Sequence, residues 1–265
     1  MAKEAQYSQI IAHVFAKHYK RGAKEVVFDR EEIVEAAEKL GLPRPKNVGD
    51  VVYSFRSRKA FPDAIKKTAS SGLEWILRKA GPSRYRFVLA KHWSVVPDPH
   101  RTVIKVPDAT PGVIARYALD DEQALLAKLR YNRLIDLFTA ITCYSLQSHL
   151  RSSVAGMGGV ETDELYVGVD RHGVHYVLPV EAKGEREHLG VVQIEDGIAL
   201  CAEKFSSLVC RPIAAQFMRG NTIALFEFEL TDDQVTIRDE KHYRLVAPNE
   251  LTPEELAQYR RSARV

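Results

Sequence analysis

Glu161, Asp163, Glu181 and Lys183 stand near the middle of the chain on two segments with the pattern of β-strands. Val160 to Val169 is the first, and Asp170-Arg171-His172-Gly173 is a tight-turn sequence whose glycine suits a left-handed bulge position. Val174 to Val180 returns as the second strand and runs on into Glu181-Ala182-Lys183-Gly184. Aligning Asp170 with Val174 across the turn sets Asp163 opposite Glu181 and Glu161 opposite Lys183. Residues two apart on a strand share a face, so Asp163, Glu181 and Lys183 converge at one end of one face, with Glu161 beside them. A different turn type would slip this register by one residue. Two carboxylates several ångströms apart are hard oxygen ligands of the kind Mg²⁺ takes while keeping waters. Bound metal lowers the pKa of water and neutralises charge on a phosphate under attack, and a lysine beside it orients or deprotonates that water. Desolvating three ionised side chains on strands of Val, Leu and Tyr is costly unless they compensate one another or bind a cation.

Elements on either side must hold this hairpin. A long amphipathic helix is expected from about Asp120, carrying Ala124, Leu125, Leu129, Leu134, Leu137, Phe138, Ile141 and Leu146, and breaking before Arg151. It places Tyr131, Asn132, Arg133, Gln147, His149 and Arg151 on the way into the site, with His149 and Arg151 candidates for a phosphate. Gly156, Gly158 and Gly159 form a loop into the hairpin. A helix over 192–205 follows it, and 211–217 and 222–228 add strands, Ile213, Ala215 and Phe217 alternating as on a half-buried one.

An Asp at the start of one strand, a hairpin, and Glu-x-Lys ending the next resembles the PD-(D/E)xK nuclease superfamily, over roughly residues 120–230. The resemblance implies a restriction-endonuclease-like α/β core with a mixed sheet flanked by helices. Asp163 matches its first metal carboxylate, Glu181 the second and Lys183 its lysine. Thr162 stands at the position of the motif's proline, which is often absent in the superfamily, and Glu161 and Glu164 remain rival first carboxylates. It further implies a role for Gln193, since a glutamine on the helix after Glu-x-Lys recurs near the catalytic pocket in DNA-acting branches. Mg²⁺ is the implied cofactor, with Mn²⁺ substituting.

The first ninety residues have a different character. Ile10, Ile11, Val14 and Phe15 have helical spacing, 25–28 is a short strand, and Asp29 with Glu32 makes a capping-box-like start to a helix over 30–40. Asn47 caps a third helix, Val48 to Lys59, and 73–78 and 84–88 form a hairpin around Gly81-Pro82. This is the order of a winged helix-turn-helix. Its third helix would enter the major groove with Arg56, Arg58 and Lys59, while Arg84 and Arg86 share one face of the wing.

Charge divides along the same line. Residues 1–105 hold 21 Lys and Arg against 11 Asp and Glu, a net +10, whereas the other 160 residues carry a net −7 within the overall +3. A basic unit attracts phosphate backbones. Hydrophobic residues at 45% and charged residues at 28% are globular proportions. No apolar run approaches the roughly 18 residues of a membrane span, and the polar N-terminus has no signal-peptide core. Three cysteines fit neither a disulfide framework nor a CxxC site. The expectation is a cytoplasmic α/β (α+β) protein away from membranes: a winged-helix DNA-binding domain over 1–92, a linker over 93–111 and a catalytic domain over 112–265. Its expected activity is Mg²⁺-dependent, sequence-specific cleavage of double-stranded DNA in the manner of type II restriction, as a homodimer and with a possible cognate DNA methyltransferase. The alternatives are a non-catalytic winged-helix regulator with a ligand-sensing or dimerisation domain, or a repair or junction nuclease.

Overall fold

A small antiparallel sheet and a large mixed one organise the described residues, with a two-stranded ribbon beside them. The computed structural model describes residues 2–91, 94–119, 122–231 and 234–262. The N-terminal unit runs α1 (Ala2–His18), β1 (Glu25–Asp29), α2 (Glu32–Lys39), α3 (Val48–Tyr53), a π-type turn over Ser54–Arg58, α4 (Asp63–Lys66), β2 (Glu74–Lys79) and β3 (Arg84–Ala90). β4 (Ser94–Val95), β5 (Val103–Pro107), α5 (Gly112–Tyr117), α6 (Glu122–Tyr131) and α7 (Leu134–Thr139) lead to β6 (Thr142–Val154), β7 (Gly158–Val169) and β8 (His175–Lys183). β9 (Leu189–Gly190), α8 (Val191–Lys204), β10 (Val209–Cys210), β11 (Ile213–Met218), β12 (Thr222–Thr231), β13 (Gln234–Val246) and α9 (Pro253–Ser262) complete the chain. It is a mixed α+β protein, and no described helix is long and apolar enough to cross a membrane.

The small sheet has the order β1-β3-β2. Period-two alternation gives it two apolar faces. Trp75, Leu77 and Phe87 pack on Ile10, Phe15 and Phe55 of the helices, while Ile76, Val88 and Ala90 face Val192 and Ile194 of α8 and Phe226 of β12. The second face is therefore an internal seam joining the two units. The large sheet runs β5-β13-β12-β11-β8-β7-β6, and β8 lies parallel to β11 and antiparallel to β7. Leu178, Val180 and Ala182 of β8 pack toward Leu125, Leu129 and Phe138 of α6 and α7, and Val177 turns the other way toward Cys201 of α8. Gly173 has φ +79° in the hairpin turn, and Glu164 pairs with Val180 and Val169 with His175, the register expected from sequence.

Several expectations are corrected. The long helix does not continue to residue 150. Its expected start at Asp120 lies outside the described residues, Arg133 and Ala140 adopt left-handed φ of 51° and 56°, and residues 142–154 are the edge strand β6. An edge strand with one face in solvent carries few apolar residues, and the exposed Tyr144 and Leu146 left no β alternation to read. In the expected linker, residue 93 lies outside the described residues, and β-branched Val103, Ile104 and Val106 build β5, paired parallel to β13. The expected helix over 48–59 stops being α-helical at Tyr53, and the wider turn that follows rotates Arg56 inward.

Arg56 is 8% exposed, and its Nη2 lies 3.0 and 2.9 Å from the two carboxylate oxygens of Asp196 on α8, while its Nε donates to the Leu77 carbonyl at 3.3 Å. Arg78 grips Glu195 through Nε, at 2.8 Å, and Nη2, and Lys79 stands 3.9 Å from Asp196. Removing one partner of a buried pair strands the other. Arg56→Met should therefore lower stability by about 3–5 kcal/mol, and Arg56→Met with Asp196→Leu should recover part of that loss. Urea unfolding midpoints of the three proteins measure both effects.

Candidate active site

The register that pairs Glu164 with Val180 leaves Asp163 and Glu181 just beyond the last rung, where β7 and β8 part. Asp163 bridges the gap with its side chain, Oδ2 accepting from the Ala182 amide at 2.8 Å. Both carboxylates share the α8 side of the sheet, because residues 163, 165 and 167 alternate with 164 and 166. Lys183 Nζ donates to Glu122 Oε1 at 2.7 Å and to the Ala182 carbonyl at 2.9 Å, and lies 3.7 Å from Asp163 Oδ2. Gln193, in the first turn of α8, donates Nε2 to Glu181 Oε2 at 2.9 Å. Asp163, Glu181, Lys183 and Gln193 are thus brought together.

Charge in this group does not balance. Glu181 is 3% exposed and Lys183 6%. Ionised Asp163, Glu181 and Glu122 against one ammonium leave a net charge of −2 in a site largely withdrawn from water. Burial pushes the Glu181 carboxyl well above the usual carboxylate range, Asp163 pushes the same way, and Lys183 offsets only part. Burial also raises Glu122 against the pull of Lys183. Burial alone would lower Lys183, but Asp163, Glu181 and Glu122 outweigh it and hold the ammonium above its ordinary value.

Glu181 Oε1 and Gln193 Oε1 are buried acceptors with no hydrogen-bond donor. Such atoms are expensive to leave unpaired, and a divalent cation is an occupant that fits both their chemistry and the missing charge. Among the described residues no group of three or more His, Cys, Asp and Glu side chains is placed to hold a metal ion. Asp163 and Glu181 are the two carboxylates here that could hold a cation, with Gln193 hydrogen-bonded to Glu181 beside them.

The other sequence candidates fall elsewhere. Glu161 lies at the rim, 3.0 Å from Arg151 Nε and 3.7 Å from His149 Nδ1. Glu164 is fully buried on the opposite sheet face, accepting from Ser145 and 3.3 Å from Arg130. Arg151 is on β6 rather than after a helix, and His149 beside it holds a left-handed φ of 49° across the strand pair from Asp163. Arg84 and Arg86 do share a face, but Asp29 and Glu25 of β1 pair with them at 3.1 and 3.4 Å. Lys59 sits 5.1 Å from the Phe55 ring and Arg58 4.6 Å from the Tyr53 ring. Sequence reasoning missed Glu122, whose only signal was its place in the first turn of the helix before the hairpin. It also missed that Tyr53 and Ser57 of the N-terminal unit wall the cleft of about 480 Å³ that reaches Asp163, Glu181 and Gln193.

A carboxyl whose folded pKa is raised stabilises the fold most below its unfolded value and loses that contribution as pH rises through the folded one. Glu181→Gln keeps the shape and removes the charge. In metal-free buffer it should raise the melting temperature at pH 8, and the gain should vanish near pH 4. Thermal melts of both proteins across pH in EDTA measure this.

No family model, curated protein or solved structure matches the chain.

Proposed function

We propose that the chain is a Mg²⁺-dependent endodeoxyribonuclease that cuts double-stranded DNA sequence-specifically, in the manner of a restriction enzyme. The observation that carries this reading is the buried Glu181 Oε1, unpaired near Asp163 and two residues from Lys183 on β8. The resemblance to PD-(D/E)xK nucleases supplies the reaction class. The helix, hairpin, helix and strand arranged on a mixed sheet accord with the core it implies. The helix, strand, three short helices and hairpin of residues 2–90 accord with a winged helix, and the +10 charge of residues 1–105 with a DNA partner.

Asp163 and Glu181, with Gln193 Oε1, would hold the cation. When bound it supplies Lewis acidity and a lowered water pKa beside the scissile phosphate. The protein's own groups do the rest. Lys183, fixed by Glu122 and the Ala182 carbonyl, presents an ammonium that stabilises charge developing on the phosphoryl oxygens. Gln193 fixes the rotamer of Glu181 through Oε2 and so keeps Oε1 turned to the site. Tyr53 and Ser57 form part of the wall of the cleft that reaches the carboxylates. Cutting both strands with one site per chain calls for two chains, and a homodimer is part of the proposal.

Incubation of full-length protein with mixed-sequence duplex DNA should give Mg²⁺-dependent cuts that EDTA abolishes. Asp163→Asn, Glu181→Ala and Lys183→Ala should each lose several orders of magnitude in rate while still binding DNA. Glu164→Gln, on the far face of the sheet, should cut within about tenfold of the parent. DNA binding without any cleavage would favour the regulator reading instead.

A further inference from the structure

The turn over Ser54–Arg58 is held against the catalytic unit from two sides. Arg56 enters the buried contact with Asp196. Gly190, the residue before α8, receives the backbone of the turn so closely that a Cβ there would lie 3.2 Å from the Arg56 carbonyl oxygen and 3.5 Å from the Ser57 Cα. Residues on either side of Arg56 are consequently presented to the cleft in fixed positions. Arg58 lays its guanidinium over the Tyr53 ring at 4.6 Å, an arrangement that leaves its donors available.

A second compartment of about 260 Å³ lies beside the first and shares Tyr53, Ser57 and Gln193 with it; Arg58, Lys183 and Arg186 line it together with Glu122 and Glu187, which are engaged by Lys183 and by the Gly184 amide. Among the described residues Arg58 and Arg186 have no carboxylate partner, whereas Arg56, Arg78, Arg84 and Arg86 are all paired. Two exposed guanidinium groups from different units, one beside a locked turn, therefore border the compartment that contains the buried lysine.

We propose that Arg58 and Arg186 together hold a backbone phosphate of bound DNA next to the scissile one, so that the N-terminal unit supplies half of the substrate clamp. Arginine matches phosphate through two parallel N–H donors, and Lys183, already engaged by Glu122, remains beside the reacting group. This assignment rests on the nuclease reading for the identity of the substrate. It gives the N-terminal unit a part in positioning the strand to be cut.

The test is fluorescence anisotropy of full-length protein with a fluorescein-labelled mixed-sequence duplex in EDTA, titrated at several salt concentrations. Arg58→Ala and Arg186→Ala should each weaken binding about tenfold and flatten the slope of log K against log salt by about 0.9. Arg58→Lys should keep most of the slope, and Arg21→Ala, on the turn after α1, should change neither quantity. Gly190→Leu should push the turn away from the cleft. In that background Arg58→Ala should cost under about twofold and Arg186→Ala its usual tenfold. Unchanged affinity and slope for Arg58→Ala would overturn the clamp, as would an undiminished Arg58 effect in Gly190→Leu or no DNA binding by the parent. Arg58-dependent binding without Mg²⁺-dependent cleavage would remove the nuclease reading and leave the clamp. Cleavage with binding indifferent to Arg58 would do the reverse.

Discussion

Three carboxylates share one buried ammonium where β7 and β8 separate, and this imbalance governs the site. Asp163 sits beyond the last rung of the ladder and takes the Ala182 amide, Glu122 reaches Lys183 from the start of α6, and Glu181 is left with one oxygen unanswered. Packing alone would favour an apolar residue at a position as enclosed as Glu181. Burial and Asp163 raise the proton affinity of Glu181. In the proposed nuclease the same carboxylate would serve as a metal ligand, and chemistry and fold stability would then pull in opposite directions at this residue.

A second buried set of charges ties the basic unit to the acidic one. Arg56, Arg78 and Lys79 meet Asp196 and Glu195 on α8, the same helix that carries Gln193. Around these charges Ile76 and Val88 of the small sheet pack on Val192 and Ile194. The helix that positions the glutamine is thus the helix on which the N-terminal unit rests. A change at that seam would reach the carboxylates through α8 and through the wall formed by Tyr53 and Ser57.

The hairpin was legible because one face of each strand is buried. A slip of one residue would have sent Leu165 and Val177 to the wrong side of the sheet, so alternation and the turn sequence agree on a single register. Gln193 was legible only through resemblance, its spacing from Glu181 having no local meaning until α8 packs on β8. Strand β6 was not legible, since an edge strand with Tyr144 and Leu146 in solvent offers no alternation and the helix before it carries its apolar period nearly to that point. Arg56 was misread for another reason. Its partner Asp196 lies 140 residues away, and an arginine beside Arg58 and Lys59 in a basic segment has the look of a DNA contact until the π-type turn rotates it inward. The paired state of Arg84 and Arg86 was likewise a property of strand neighbours, Asp29 and Glu25 of β1, that a hairpin-only reading leaves out.

The claim on which the rest stands is that the unpaired oxygen of Glu181 faces a divalent cation. Crystals of the full chain soaked in Mn²⁺, with anomalous differences collected at the manganese edge, test it directly. The account predicts one strong peak in contact with the carboxylates of both Asp163 and Glu181, absent from crystals of Glu181→Gln. A map with no peak between those two residues, or with manganese held instead by Glu161 at the rim or Glu164 on the opposite face, would contradict it.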